Sequence, residues 1–214
     1  MKNLLALPLL LVVGAVASTQ ALSQTPVAGK DYVEIQNGRP LDPAEGKVVV
    51  EEFFNYICPA CNSFEPHFVA WTRKLPAYAR VVHIPASFGR ADFTQYARAY
   101  YAAAAMGIAG KTHQAVYDAI HRTHTLPAEG DKPDEERIAR FYAGYGVSAQ
   151  DFLAAMRSFG VETKLRRAAE HMKTNQIGGT PSVLVNGRYL VRGATYADML
   201  RTASYLIEQE QGRK

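Results

Sequence analysis

The sequence predicts an α/β protein: a small mixed sheet flanked by helices, with a block of helices inserted into its chain. Three observations predict it. The strongest strand, Val48 to Ile57, is almost continuously β-branched or aromatic, as in a strand covered on both faces. From Ala91 to about Asn175, apolar residues recur at helical spacing. The chain then returns to a hairpin, Ser182 to Val185 and Arg188 to Val191 about Asn186-Gly187, and closes on one amphipathic helix.

Bulk properties agree. The chain has 214 residues, 48% hydrophobic and 21% charged, so it can bury a core and is neither disordered nor disulfide-dense. Twenty-four basic residues against 20 acidic ones give +4, and they are scattered rather than clustered, which argues against a nucleic-acid tract.

At the amino terminus Lys2 precedes an apolar run from Leu4 to about Ala17, followed by small and polar residues through Ser23. This describes a secretory signal peptide over residues 1–23, cleaved after Ala21 or Ser23. The run is short for a membrane span, which makes an uncleaved tether the minor reading. The exported protein is expected to be soluble.

Residues 24–88 form the first part of the α/β domain. Tyr32-Val33-Glu34-Ile35 reads as a short strand, and Asn37-Gly38 as a turn. The Val48–Ile57 strand runs into Cys58-Pro59-Ala60-Cys61. A helix is expected there, because Pro59 suits a first helical position and Phe64, Phe68 and Trp71 recur at helical spacing. Pro66 lies inside that pattern and predicts a kink. Trp71 is expected to pack on the sheet. Arg80 to Ser87, with Val81, Val82 and Ile84, reads as a second interior strand.

Residues 89–175 read as an inserted helical domain. One helix fills 91–106 and ends near Gly107; Val116, Ala119 and Ile120 mark a second. Pro133-Asp134-Glu135-Glu136 is an acidic start for a third, with Ile138, Phe141, Tyr142 and Tyr145 on one face. Ser148 opens a fourth, closed by Gly160, and Val161, Leu165, Ala168, Ala169 and Met172 line a fifth. Residues 176–214 complete the α/β domain, with a last helix over about Thr195 to Gln209. Phe93, Tyr96, Tyr100 and Tyr101 read as core. His67, His83 and His113 read as structural, and Lys164, Arg166, Arg167 and Lys173 as a solvated face.

Two cysteines in the whole chain narrow the chemistry. A structural disulfide closing so short a loop would contribute only about 2 kcal/mol. Half a zinc site would need two more ligands; no cysteine remains, and His121 with His124 is the only spacing that could contribute. The third reading is a redox dithiol. A cysteine at a helix start points its sulfur at unpaired N–H groups and the positive end of the dipole, which stabilises thiolate. Cys58 should therefore titrate below the free value of about 8.5, and Cys61, one turn on, can close the ring. Stabilising the thiolate favours the reduced form and makes the disulfide a stronger oxidant.

The run EEFFNYICPAC, a helical block, and GGTPS ahead of a hairpin resemble the thioredoxin superfamily. More narrowly, they resemble the DsbA family of periplasmic thiol:disulfide oxidoreductases, over about residues 30–210. The resemblance implies a thioredoxin fold with an inserted all-helical domain and a catalytic pair with Cys58 exposed and attacking and Cys61 buried. Pro59 and Ala60 would be the active-site dipeptide. Thr180-Pro181 matches the family's cis-proline dipeptide, which offers backbone hydrogen bonds to substrate.

Glu52 matches the family's acid six positions before the first cysteine. Alternation puts it on one face with Val48, Val50, Phe54 and Tyr56, where burial should raise its pKa and suit it to exchange protons with Cys61. Glu65 corresponds to another family acid and reads equally as a solvated helix residue. The best-known members carry histidine where this chain has Ala60, so a weaker oxidant is expected. The resemblance further implies donation of disulfides to reduced, unfolded exported polypeptides in the periplasm, and re-oxidation by a quinone-linked membrane protein of the DsbB type. The protein is expected to be a monomer with no bound cofactor, metal or nucleic acid. The rivals are a periplasmic reductase or isomerase and a non-catalytic peptide-binding module.

Overall fold

The structure, a computed structural model, describes residues 25–213. The leader expected over 1–23 lies outside the described residues. Twelve elements follow in the order β1 (Tyr32–Glu34), β2 (Val48–Phe54), α1 (Pro59–Thr72), β3 (Ala79–Pro85), α2 (Ala91–Ala105), α3 (Ala109–His121), α4 (Glu135–Ala143), α5 (Ala149–Met156), α6 (Phe159–Thr174), β4 (Ser182–Val185), β5 (Tyr189–Val191) and α7 (Tyr196–Gly212). The sheet order is β1-β5-β4-β2-β3. β2 runs parallel to β3, as a crossover through α1 requires, and antiparallel to β4. The helices α2 to α6 all fall between β3 and β4, so the helical block is inserted into a thioredoxin fold.

β2 is buried along its whole length, which explains its unbroken apolar character. On one face Val48 and Val50 pack with Phe64 and Phe68 of α1 and Leu200, Leu206 and Ile207 of α7. Toward the end of the strand Phe54 meets Tyr100 and His113 from the helical block, with ring centroids 5.2 and 5.1 Å away. On the opposite face Phe53 stacks on His171 of α6 at 5.8 Å. Phe93, Tyr96 and Tyr101 are buried as expected, and Tyr100 is half-buried.

Two expectations are corrected. β3 is an edge strand, not an interior one. Its apolar run arises because both faces are covered: Val81 packs into the cluster under α1, and Val82 and Ile84 into that of the helical block. Gly160 does not close the fourth helix of the block. That helix ends at Met156, Ser158 caps the next by accepting from Val161 N–H, and Gly160 lies within α6. Trp71 packs, as expected, on the cluster that includes β2, β4 and β5, and its indole N–H also donates to Ser204 Oγ in α7 at 2.8 Å. α1 continues through Pro66 to Thr72.

A polar latch ties the helical block to the sheet. Glu51, facing away from Glu52 across the pleat, is fully buried. Its carboxylate accepts from His171 Nε2 at 3.1 Å and from the Leu41 N–H at 2.7 Å. Asn175 Nδ2 donates to His171 Nδ1 at 3.1 Å, leaving Nε2 as the donor toward Glu51.

The two Asn-Gly turns back onto each other. Gly187 has φ +67°, and a Cβ there would overlap the backbone of Arg39 and Pro40. Gly187→Ala is therefore expected to destabilise by more than about 1 kcal/mol in urea melts, through both strain and the clash.

Candidate active site

The site begins where β2 ends. Asn55 is fully buried, and its side-chain amide donates to the carbonyls of Ala86 at 2.7 Å and Phe93 at 3.1 Å. Its Oδ1 accepts from the Ile57 N–H at 3.2 Å, and its carbonyl from the Cys58 N–H at 3.2 Å. This pins the chain leaving the strand to β3's exit and to α2. Asn55 escaped sequence reasoning, although an Asn accepting from the amide two residues on is a common turn device.

Cys58 is the N-cap of α1, with Pro59 at its first position. The Cys61 N–H donates to Cys58 Sγ at 3.4 Å. Cys58 keeps a small opening to solvent, 8% of its surface, rather than standing free as the resemblance implied; Cys61 has none. Both thiols are free. The hydrogen bond from the Cys61 thiol, opposed by burial and helped by the Thr180 side chain and the amides of Cys61 and Ala60, lowers the Cys58 pKa from 9.0 to about 6. Burial, with the neighbouring Cys58, drives the Cys61 thiol far above its ordinary value. One sulfur is thus disposed to be an anion and its partner to keep its proton.

The loop before β4 closes over this pair. The Thr180–Pro181 peptide is cis, and the Thr180 carbonyl oxygen accepts from Cys58 Sγ at 3.5 Å when that thiol is protonated. Both residues are half-buried. From the last helix, Tyr196 donates its hydroxyl to the Ala60 carbonyl at 3.0 Å. Ala60 and Pro59 are exposed.

Glu52 is fully buried, as expected, but its hydrogen-bond partner is His83, not Cys61: Oε2 lies 2.6 Å from His83 Nδ1. Its Oε1 has no partner among the described residues. Glu65 is not solvated either. It is 2% exposed, and its Oε1 lies 3.4 Å from His113 Nε2. His113 Nδ1 is 2.9 Å from the Tyr56 hydroxyl, and the two imidazoles are 5.1 Å apart. Burial acts to lower the His83 pKa, but the hydrogen bond and charge of Glu52 and the charge of Glu65 leave it raised. His83 and His113, read from sequence as structural, thus pair with the two acids, and with Glu65 they line a cavity of about 480 Å³ between α1 and α3. His67 is instead exposed on α1, its ring 5.8 Å from that of Tyr196. Lys164, Arg166, Arg167 and Lys173 form an exposed face.

Among the described residues, no group of three or more His, Cys, Asp or Glu is arranged to hold a metal ion. His121 lies with Nε2 2.7 Å from the Tyr56 carbonyl.

A family model described as the DSBA-like thioredoxin domain matches residues 49–204, which include both cysteines and the Thr180-Pro181 loop. The chain belongs to that family. It is 34% identical to a thiol:disulfide interchange protein DsbA of Pseudomonas aeruginosa, covering 99% of this chain and 98% of the relative. It is 33% identical to the protein of that name from Burkholderia cepacia across the full length of both. The crystal structure of the oxidoreductase DsbA from Xylella fastidiosa superposes with a TM-score of 0.83 at 39% identity, covering 88% of this chain and all of that one. The chain is accordingly a thiol:disulfide oxidoreductase.

The thiolate carries two measurable consequences. Absorbance at 240 nm should show Cys58 titrating near pH 6, between the values of about 3.5 and about 7 typical of DsbA and thioredoxin. Because the fold lowers this pKa, the stability it adds to the reduced protein is complete above the unfolded thiol's value and lost as pH falls through about 6. The denaturation midpoint of the reduced form should therefore drop relative to that of the oxidised form between pH 9.0 and about 6. Equal pH dependence of the two forms would contradict the assignment.

Proposed function

We propose that the chain donates disulfide bonds to reduced, unfolded polypeptides exported to the periplasm. The observation that supports this direction is the capping of α1 by Cys58 Sγ, which makes the reduced protein the favoured partner in exchange. A substrate thiolate attacks Cys58 Sγ in the Cys58–Cys61 bond. That bond breaks, a mixed disulfide forms, and Cys61 leaves and takes up a proton. A second substrate thiolate then attacks the substrate sulfur, and Cys58 leaves as the stabilised thiolate. The substrate has lost two electrons and two protons; the enzyme holds the electrons and the proton on Cys61, and the other proton passes to solvent. Re-oxidation falls to a quinone-linked membrane oxidase of the DsbB type, and the enzyme acts as a monomer.

In this reading Thr180 and Pro181 present backbone to an extended substrate beside the reacting sulfur. The thioredoxin-like unit takes residues 24–88 and 176–214, and residues 89–175 form the inserted domain. Ala60 adds neither charge nor polar hydrogen, so the enzyme is a milder oxidant than members with histidine there. Glu52, buried with one unpaired oxygen and hydrogen-bonded to His83, exchanges a proton with Cys61 as that thiol leaves.

The direct test mixes the oxidised protein with a reduced, denatured substrate carrying paired thiols. Disulfides should form in the substrate. Cys58→Ser should abolish turnover, and reduced Cys61→Ser, offered a disulfide-bonded substrate, should be trapped as a mixed disulfide through Cys58. In cells quenched rapidly in acid the pair should be found oxidised; a steady-state dithiol would reverse the assigned direction in favour of a reductase. Glu52→Gln should slow mixed-disulfide formation on the order of 10²-fold, with the loss greatest at high pH, where solvent protons are scarce.

A further inference from the structure

The hydroxyl of Tyr196 and the sulfur of Cys58 lie at opposite ends of one peptide unit. Tyr196 donates to the Ala60 carbonyl at 3.0 Å, and the amide of that same peptide, the Cys61 N–H, donates to Cys58 Sγ at 3.4 Å. We propose that Tyr196 is a positioning residue for the nucleophile: by polarising the Ala60–Cys61 peptide, it strengthens the amide hydrogen bond that holds the Cys58 thiolate. Hydrogen bonds in a chain polarise one another, each strengthening the next by about 10–30%. Accepting at the carbonyl shifts electron density toward oxygen and leaves the N–H a better donor.

The surroundings fix the hydroxyl where it is needed. Tyr196 is the first residue of α7, directly after the Thr195 cap, whose side chain accepts from Asp198 N–H. Its ring packs edge-on against Phe64 of α1 at 5.1 Å. The helix that bears the nucleophile thus also seats the tyrosine. Ala60 has no side-chain donor, so polarisation of this peptide comes from outside the Cys58–Cys61 turn. The ionisable groups around the chain are few. His67 of α1 lies beside the Tyr196 ring, Asp198 of α7 is tied to Thr195 and Arg201, and Cys61 is the buried partner.

The inference rests on the Cys58 thiolate being the reacting group, and its test separates the two ideas. Tyr196→Phe keeps the ring on Phe64 and removes only the hydroxyl. The Cys58 titration should move up by about 0.3–0.7 pH unit, and the equilibrium constant against glutathione should change two- to fivefold toward a weaker oxidant. At roughly 30 mV per decade that is about 10–20 mV. The melting temperature of the oxidised form, in which no thiolate exists, should stay within a degree or two; a merely structural role would lower it without moving the titration. In the unsubstituted protein, the Tyr196 ring carbon signals should follow the Cys58 titration with the same midpoint. An unmoved Cys58 titration in Tyr196→Phe, or Tyr196 signals flat across the wild-type titration, overturns the proposal. If wild-type Cys58 itself titrates at an ordinary thiol value, the functional reading falls as well.

Discussion

The site depends on one constraint, a sulfur held at the amino end of a helix, where the Cys61 thiol and the amides that no carbonyl of that helix can reach donate to it together. Those amides exist at every helix start, and most are satisfied by oxygen. Here the acceptor is Cys58, and the result is asymmetry between two chemically identical groups. Cys61, one turn further on, is enclosed, and its burial outweighs the hydrogen bonds it receives from Asn55 and Thr180, so it favours the neutral thiol. The pair therefore reaches its stable reduced state as one anion and one thiol. A disulfide joining them gives up both advantages, which is the physical content of oxidising power.

Holding the sulfur there requires a rigid lead-in, and the sheet provides it at some cost. β2 carries two adjacent carboxylates, both without solvent exposure, in a strand otherwise made of valine and phenylalanine. Buried carboxylates are expensive unless paired, so an apolar strand of similar shape would serve stability better. Each acid has a histidine partner on its own side of the sheet, and the two sides do different work. Glu51 reaches His171 and fixes α6, from whose end the chain runs into the loop at Thr180 and Pro181. Glu52 reaches His83 on the neighbouring strand β3. The period of two in a β-strand is what sends neighbours to separate tasks.

Much of this was legible in the sequence because it is local. The β2 run, the Cys58-Pro59-Ala60-Cys61 turn, the Asn186-Gly187 hairpin and the Ser148 and Thr195 caps each announce themselves within a few residues. What was not legible depends on long-range partners. β3 carries the valines of an interior strand because helices cover its faces, and a sequence does not show which backbone edge stays unpaired. Gly160 looked like a terminator, yet Ser158 two residues earlier begins the next helix. His83 and His113 gave no signal by spacing, since the acids they meet are 31 and 48 positions away in the chain. Glu52 was correctly read as buried from its apolar face-mates. The group it meets was not predictable, because parallel pairing brings His83 directly opposite it.

The same distinction bears on how far the residues between the cysteines can account for the chemistry of this enzyme. Ala60 has a methyl side chain and, judged by that alone, contributes nothing to the sulfur. Its backbone does contribute, and that backbone is held by Asn55 on one side, through the Cys58 amide, and by the last helix on the other. Asn55 is in turn anchored to carbonyls at the ends of β3 and in α2. The donors around Cys58 are thus arranged by segments that the chain makes before, within and after the helical block. Thiolate stability is a property of that closed set of hydrogen bonds. Exchanging the dipeptide between two members of the family would transfer the side chains and leave behind the groups that orient the peptide, so the transferred turn should reproduce only part of the donor's redox character.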